Sequence, residues 1–448
     1  MLMQARISII FAACAIGFPG ASLLRAAAPE VATPIVAEDC PTLYLTGQEG
    51  PRLGAAPEGP AGETPPDHWR LLWKDGLFLA SPQDQFTLKI GGRMQVDFGW
   101  PASGEKLEQE LKETFDDKIE FRNLRVCLSG QFVKDLQYKA EVNFANGVFT
   151  VTDLYIRLTG VPAVGNLTIG HFKEPRSLEQ LTSSNDITFL ERALPDAFSN
   201  RRHFGIMAGN QTLEGRMTWA AGVFHTYNDP VWGSTDDGNS WDVTGRVTGL
   251  PVYEEDGRNL LHLGASYGLR LPDDPVRFKQ RPEAYFMPNF TDTKDIDADS
   301  VHRLGFEAAW VKGPLSVQGE YQAAGCVAPI AGNPWLQGLY AQAGYILTGE
   351  SRPYDRASGV FKGVRPFKNV GENGGLGAWE IAARYSYLNL NQGELPASAR
   401  AVQDFTFGLN WYLCPNARVM WNYVHSWVDG SGVDSGVDVF LMRLQIAF

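Results

Sequence analysis

The sequence has no long hydrophobic run beyond its N-terminus. No later stretch approaches the roughly 18 apolar residues that a membrane-spanning helix needs, and the mean hydropathy is −0.19. Spanning helices are therefore excluded for this part of the chain. A transmembrane β-barrel is not, because only alternate residues of its strands face lipid and the average hydropathy stays low.

Cysteine pairs, basic blocks and catalytic motifs are also lacking. The five cysteines form no CxxC pair, which argues against a zinc site and against a disulfide scaffold. The net charge is −12 and lysines and arginines do not cluster, so nucleic acid is not an expected partner. The seven histidines lie in no nucleophile, metal or phosphate-loop motif. We therefore expect neither an enzyme nor a bound metal or cofactor.

The composition changes along the chain and predicts three parts. Residues 1–28 combine Arg6, an apolar stretch and small residues, which is the pattern of a secretory signal peptide. Residues 29–85 are rich in proline and glycine and predict a flexible periplasmic segment, with a short ordered piece at Trp69 to Leu79. Residues 86–448 show strand periodicity throughout and predict the folded domain.

Strict alternation of apolar and polar residues is the strongest pattern in this domain. Phe86, Leu88 and Ile90 alternate with Thr87 and Lys89, and the pattern continues to residue 100. Fifteen residues of alternation exceed an ordinary strand of about 5–6 residues. A tilted strand of a membrane barrel accounts for such a length.

The same reading predicts sixteen strands and an all-β transmembrane antiparallel barrel. Short turns, as at 133–135 and 414–416, alternate with long loops, as expected for the two ends of an outer-membrane barrel. The segment 349–376 is long yet falls on the turn side, so either that turn is extended or the strand count slips there. The predicted strands are 86–100, 119–132, 136–146, 149–159, 165–172, 203–210, 217–227, 240–250, 259–271, 301–312, 315–325, 336–348, 377–390, 401–413, 416–428 and 437–448.

The last predicted strand has one continuous apolar face. Phe440, Met442, Leu444, Ile446 and Phe448 share that face. A soluble sandwich strand can look similar, but an aromatic residue at the end of such a strand is usual in bacterial outer-membrane barrels. We therefore expect contact with outer-membrane lipid, and recognition of the strand ending in Phe448 by the outer-membrane assembly machinery.

Six stretches of this domain have the motifs of one known family, in the same order along the chain. They are 86–95, 170–184, 189–194, 347–352, 408–412 and 443–448. Together they resemble the phosphate-selective porin O and P family. The resemblance implies a sixteen-stranded bacterial outer-membrane barrel, usually a homotrimer, whose third loop folds into the pore. It also implies passive uptake of anions, inorganic phosphate above all, guided by arginines and lysines.

The alternation of side chains between the two faces of each strand then predicts which basic residues line the lumen. Placing the apolar face of each strand outward turns a set of basic residues inward, where arginine can pair two oxygens of an oxyanion. Arg93 is the strongest candidate, because it also lies in the matched Gly-Gly-Arg motif. The alternative is that these arginines pair with carboxylates on neighbouring strands. The pore-lining candidates are Arg93, Arg125, Lys89, Arg157, Arg270, Arg384 and Arg443.

The long loop 173–202 supplies the candidates for a constriction. Lys173, Arg176, Arg192 and Arg201 would narrow the pore with positive charge if the loop folds inward, as the resemblance implies. A loop of about thirty residues is unusual unless functional. The alternative is an ordinary extracellular cover.

Two positions depart from the phosphate-type pattern of the family. The family's paired arginines align with Arg122 and Asn123, of which parity turns Asn123 inward and Arg122 to the outside or the rim. The family's lysine in loop three aligns with Gln180. A general, weakly selective porin therefore stays open beside the phosphate pore, as does a non-conducting structural or enzymatic barrel.

Overall fold

Sixteen antiparallel strands form a closed barrel in the computed structural model. The structure describes residues 68–102, 104–199, 202–226, 240–430 and 433–448. Each barrel strand pairs with its neighbours along the chain, and the last strand closes the barrel on the first, from Val439 opposite Pro101 to Ala447 opposite Arg93. The predicted fold class is confirmed.

The strands and helices have the following bounds. The two α-helices are α1 (Glu105–Leu111) and α2 (Leu178–Leu181), and neither of these described helices is long and apolar enough to cross a membrane. The strands are β1 Arg70–Trp73, β2 Leu77–Ala80, β3 Thr87–Pro101, β4 Lys118–Val133, β5 Leu136–Asn143, β6 Thr150–Val161, β7 Gly165–Lys173, β8 Arg202–Thr212, β9 Met217–Thr226, β10 Ser240–Glu254, β11 Asn259–Leu271, β12 Lys279–Gln280, β13 Thr291–Asp292, β14 Ser300–Lys312, β15 Leu315–Val327, β16 Trp335–Ile346, β17 Tyr354–Asp355, β18 Val360–Phe361, β19 Ala378–Asn389, β20 Ala401–Cys414, β21 Ala417–Gly430 and β22 Val433–Ala447.

The barrel is polar inside and apolar outside. On β4, Leu124 and Val126 are exposed on the outer face, whereas Arg125 and Ser129 are buried on the inner face. The same alternation runs along the other barrel strands, and it follows directly from the period-two pattern of the sequence. Each of the sixteen predicted segments contains one barrel strand, with small differences at the ends.

A hairpin formed by β1 and β2 extends the sheet next to the closure of the barrel. β2 pairs with β3 from Leu77 opposite Ile90 to Ala80 opposite Thr87, just past the point where β22 ends. The Trp73 ring stacks on Phe448, with centroids 6.0 Å apart. The hairpin covers the end of the last strand.

The segment predicted to be flexible, residues 29–85, therefore ends in ordered strands. Each strand of the hairpin has four residues, which is too short to show a period in the sequence. The rest of that segment, residues 29–67, and the predicted signal peptide, residues 1–28, lie outside the described residues.

The long segment on the turn side is an extended turn, and the strand count stands. The connection between β16 and β19 contains the small hairpin β17–β18 and folds into the lumen. Its Val360 and Phe361 are buried against Leu178, Leu260 and Val311. Apolar residues on the inner face of the wall thus have a partner other than water.

Gly130 of β4 makes a close backbone approach that no other residue fits. A Cβ at this position would lie 2.0 Å from the backbone oxygen of Thr87 on β3. We expect Gly130→Ala to lower the free energy of unfolding by about 1–3 kcal/mol, because β3 and β4 must move apart. Urea unfolding in detergent micelles, followed by tryptophan fluorescence, measures the change.

Gly249→Ala is the matched control for this prediction. A Cβ at Gly249 meets nothing within 4 Å. We expect it to change the free energy of unfolding by less than about 0.5 kcal/mol. Equal unfolding curves for the two variants would contradict the close approach.

Candidate functional site

The connection between β7 and β8, here called loop three, turns into the lumen directly after β7. Its first helix, α2, begins at Ser177, whose hydroxyl accepts a hydrogen bond from the Gln180 N–H at 3.1 Å. On β15, the Glu320 carboxylate accepts from the N–H groups of Leu178 at 3.1 Å and Glu179 at 2.7 Å. A carboxylate at the start of a helix suits the partial positive charge there. The wall thereby fixes the loop at its entry into the barrel.

Arginines of the wall hold the middle of loop three through its backbone. Arg443 donates to the Leu190 carbonyl at 2.6 Å, and Arg418 donates to the Ile187 carbonyl at 2.8 Å. An irregular loop away from bulk water has carbonyl groups that neither a helix nor a sheet satisfies. Guanidinium groups supply several donors in one plane, so they suit this task. Arg443 lies on the inner face of the wall, and besides these loop groups it pairs with Asp97 of β3 at 2.7 Å.

Arg384 joins two inward-folded loops. Its guanidinium pairs with Glu179 of loop three at 3.0 Å and with Glu283, from the connection between β11 and β14, at 2.5 Å. Ser386 and Thr406 of the wall also donate to the Glu283 carboxylate. Burial raises the pKa of Glu179, although the nearby Arg384 opposes the shift. Arg384 is thus the shared counter-charge of two buried carboxylates.

Arg93 and Arg125 lie side by side on β3 and β4 and share one carboxylate. Arg125 pairs with Glu141 at 2.8 Å, and an Arg93 nitrogen lies 3.8 Å from the same carboxylate. Arg93 also donates to the Ser184 hydroxyl of loop three at 2.5 Å. Both side chains face inward as predicted, and both are engaged by protein groups.

Arg122 faces inward, although strict alternation along β4 predicts that it points outward or to the rim. The ladder between β3 and β4 shifts register opposite Gln95, so a β-bulge places Arg122 and Asn123 on the inner side together. Arg122 pairs with Glu191 of loop three at 2.8 Å and stacks over the Tyr285 ring at 3.8 Å. The expectation that Arg122 points outward or to the rim is wrong. Strict alternation contains no signal for a bulge.

Loop three does not fill the lumen next to β6 to β10. A cavity of about 120 Å³ lies there between the wall, loop three and the extended turn after β16. Arg157, Lys173 and Arg246 line it, and Asp153 is the carboxylate among its lining residues. Asp153 is itself paired with Lys139 at 2.5 Å and Arg202 at 2.6 Å. The lining of this cavity is therefore basic.

The extended turn between β16 and β19 narrows this cavity from the end of the barrel that carries the short turns. Arg246 donates to the Gly359 carbonyl at 2.9 Å and pairs with Glu307 at 2.7 Å. His262 and Tyr354 are hydrogen-bonded at 2.6 Å between the wall and the turn. The alternation along β10 predicts an inward Arg246, but Arg246 is not among the candidate anion-binding residues named from the sequence.

The other predicted residues are spread over the lumen. Lys89 is half-buried at the turn end, next to Gly76 of the N-terminal hairpin. Arg270 pairs with Asp242 at 2.9 Å near the loop end. Arg192 and Lys173 both donate to the Gln180 carbonyl of loop three. Arg176 is fully buried in the same loop, and Arg201 lies outside the described residues.

Glu174, His203 and Asp242 come together as a group that could in principle hold a metal ion. Their ligand atoms all lie within 4.8 Å of one another. Glu174 already bonds to His203 at 2.7 Å, and Asp242 already pairs with Arg270 and Arg303. Two guanidinium groups beside the carboxylates oppose a cation. The donor set does not fit a metal site.

We expect Arg384→Met to lower the free energy of unfolding by about 3–5 kcal/mol, because Glu283 and Glu179 then stay buried without their counter-charge. Denaturant unfolding in micelles measures the loss. Adding Glu283→Gln to that variant should recover part of it. Arg277→Met is the control, since Arg277 forms a partly exposed pair with Asp292; we expect at most about 1 kcal/mol there. Equal losses in both variants would contradict the role of Arg384.

Comparison with known proteins identifies the family. The model of the family described as phosphate-selective porin O and P matches residues 88–448. Porin O of Pseudomonas aeruginosa is 28% identical over 84% of this chain and 91% of that protein. An anion-selective porin from Comamonas acidovorans (TM-score 0.51, 14% identity, 81% of this chain and 100% of that chain) and OmpT of Vibrio cholerae (TM-score 0.51, 12% identity, 82% and 98%) share the fold. Since the family match spans the whole barrel, this chain belongs to the phosphate-selective porin O and P family and is a porin of the bacterial outer membrane.

Proposed function

We propose that this porin carries small anions, phosphate or polyphosphate foremost, across the outer membrane by passive diffusion. The observation that supports it most directly is the basic cavity between loop three and β6 to β10, lined by Arg157, Lys173 and Arg246. Membership of a family described as phosphate-selective supports the same solute class. The proposed process is diffusion through a water-filled passage, with no catalytic step and no cofactor.

The charge balance of this cavity favours anions. Its carboxylate, Asp153, is paired with Lys139 and Arg202, and Arg246 is paired with Glu307, so we assign the positive field of the lining chiefly to Arg157 and Lys173. A narrow passage with low-dielectric walls concentrates the field of a few charges, which then outweigh many charges outside. The overall charge of −12 is therefore compatible with an anion pore.

The remaining lumen arginines have a different role in this proposal. Arg443, Arg384 and Arg93 hold loop three against one side of the wall, which confines the solute to the other side. We propose them as anchors of the constriction, whereas Arg157, Lys173 and Arg246 contact the passing anion. Arg125 supports the anchors through the Glu141 carboxylate that it shares with Arg93.

One feature supports phosphate despite Asn123 and Gln180. The Lys173 ammonium donates to the Gln180 carbonyl and also lines the cavity, so a cation stands close to the position where the family has a lysine. Oxyanions pair well with several such donors of moderate strength, because release must stay fast.

Oligomer, lipid and assembly contacts belong to the same proposal. We propose a homotrimer, as the family resemblance implies, whose remaining outer surface contacts outer-membrane lipid through exposed apolar residues such as Ile206, Val243 and Phe407. We also propose that the assembly machinery recognises the strand that ends in Phe448 before the hairpin covers it. The stacking of Trp73 on Phe448 supports this order.

Reversal potentials across a planar bilayer in a KCl gradient, repeated with added phosphate, test the proposal. Anion selectivity with chloride current blocked by phosphate is the expected result. Weak selectivity that ignores phosphate would replace the phosphate pore with a general porin. No conductance at all would favour a structural or enzymatic barrel.

We expect Arg157→Gln to lower the anion-to-cation permeability ratio by about two- to tenfold, because one of the lining cations is lost. The reversal potential in a KCl gradient measures the ratio. Arg216→Gln is the control, since Arg216 lies exposed on the turn between β8 and β9. A ratio unchanged by Arg157→Gln, or lowered equally by both variants, would show that the cavity is not the anion path.

A further inference from the structure

Arg176 is a buried guanidinium that makes no side-chain hydrogen bond to any described residue. Its side chain is 2% exposed, and none of its three guanidinium nitrogens has a hydrogen-bond partner in the part of the chain that the structure describes. The residue lies just after β7, where its backbone N–H donates to the Glu174 carbonyl at 2.9 Å. The other arginines of loop three and the wall that were followed above all have partners, so Arg176 stands apart.

The acidic groups beside Arg176 are already engaged. Asp242 pairs with Arg270 at 2.9 Å and with Arg303 at 2.7 Å. The Glu174 carboxylate bonds to His203 and to the Thr244 hydroxyl, each at 2.7 Å. Among the described residues, neither carboxylate accepts a hydrogen bond from Arg176, although both lie close enough to attract its charge.

The charges of this group do not balance. Three guanidinium groups, of Arg176, Arg270 and Arg303, interact with the two carboxylates of Glu174 and Asp242, which leaves an excess of positive charge. Burial, and next the nearby Arg303, lower the pKa of Arg176 to about 9. The guanidinium therefore still carries its charge at neutral pH.

Burying a guanidinium without a counter-charge is energetically unfavourable. Its N–H groups can only donate hydrogen bonds, so each of them needs an acceptor. Water could accept some of these hydrogen bonds but would leave the charge excess uncompensated. A small anion satisfies both requirements, because it accepts hydrogen bonds and supplies negative charge.

We infer that Arg176, with Arg270 and Arg303, binds one small inorganic anion, chloride or an oxyanion such as phosphate, as a resident ligand. The anion joins the start of loop three to β11 and β14 near the loop end of the barrel. Such an ion is a structural element of loop three, held in a buried site, and is distinct from the ions that pass along the cavity. The inference stands whether or not the pore is selective for anions.

The test is the thermal stability of the wild-type protein and of Arg176→Met in micelles. Sodium chloride or sodium phosphate replaces sodium gluconate at constant ionic strength and pH 7, so screening stays constant. A ligand that binds only the folded state raises the melting temperature with its concentration. We expect the wild type to gain stability in chloride or phosphate, and Arg176→Met to show no such gain.

Which of the two proteins has the higher melting temperature should also depend on the salt. In gluconate, Arg176→Met should melt above the wild type, because a buried unpaired charge is gone. At high chloride or phosphate, the wild type should melt above the variant. The salt that produces the larger gain identifies the preferred anion.

Three results would overturn the inference. One is a wild-type melting temperature that is the same in all three salts. Another is a gain in Arg176→Met as large as in the wild type, and the third is an equal loss of stability for Arg176→Met in every salt, which would reveal a protein partner. Arg216→Gln should behave as the wild type, and Arg176→Lys, which keeps the charge, should keep a weaker gain if the Met variant does not fold. Bilayer selectivity is measured separately, so failure of this site and failure of the transport proposal are distinguishable.

Discussion

The interaction on which this structure depends is the donation of hydrogen bonds from wall arginines to irregular backbone inside the barrel. A barrel strand satisfies its own backbone through its neighbours, but a loop folded into the lumen does not. Arg443 and Arg418 donate hydrogen bonds to carbonyl groups of loop three, and Arg384 forms an ion pair with Glu179 of the same loop. Without these groups the loop would leave carbonyls and carboxylates unpaired away from bulk water.

These anchors divide the lumen into two parts. On the side of β16 to β22, loop three and the connection after β11 fill the space with an apolar core that includes Leu190, Phe198 and Phe290. On the side of β6 to β10, charged and apolar side chains together line a cavity. The apolar residues of the loops thus find partners within the barrel, and the cavity lies along one wall. If the proposed solute path follows this cavity, its position is a consequence of where the loops pack.

Periodicity predicted the wall well because a barrel strand has a single structural requirement, an apolar outer face and a polar inner one. That requirement placed Arg93, Arg384 and Arg443 inside from the sequence alone. It could not place Arg122, because a bulge changes the facing of a residue without changing the pattern around it. Nor could it show the hairpin at Trp73, whose strands are too short to carry a period.

The alternation along the wall strands does not predict which groups pair with the inward-facing arginines and lysines. Ser184, Glu191 and Glu283 lie in loops with no period, and each meets an arginine from a distant strand. Counting arginines on the inner face therefore overstates the charge that a solute meets, since a cation paired with a loop carboxylate contributes little field at a distance. In the proposed function, selectivity therefore depends on the cations that line the cavity and not on those paired with loop carboxylates. A change of loop sequence can alter the preferred solute while every wall residue stays the same, because it changes which guanidinium groups are neutralised.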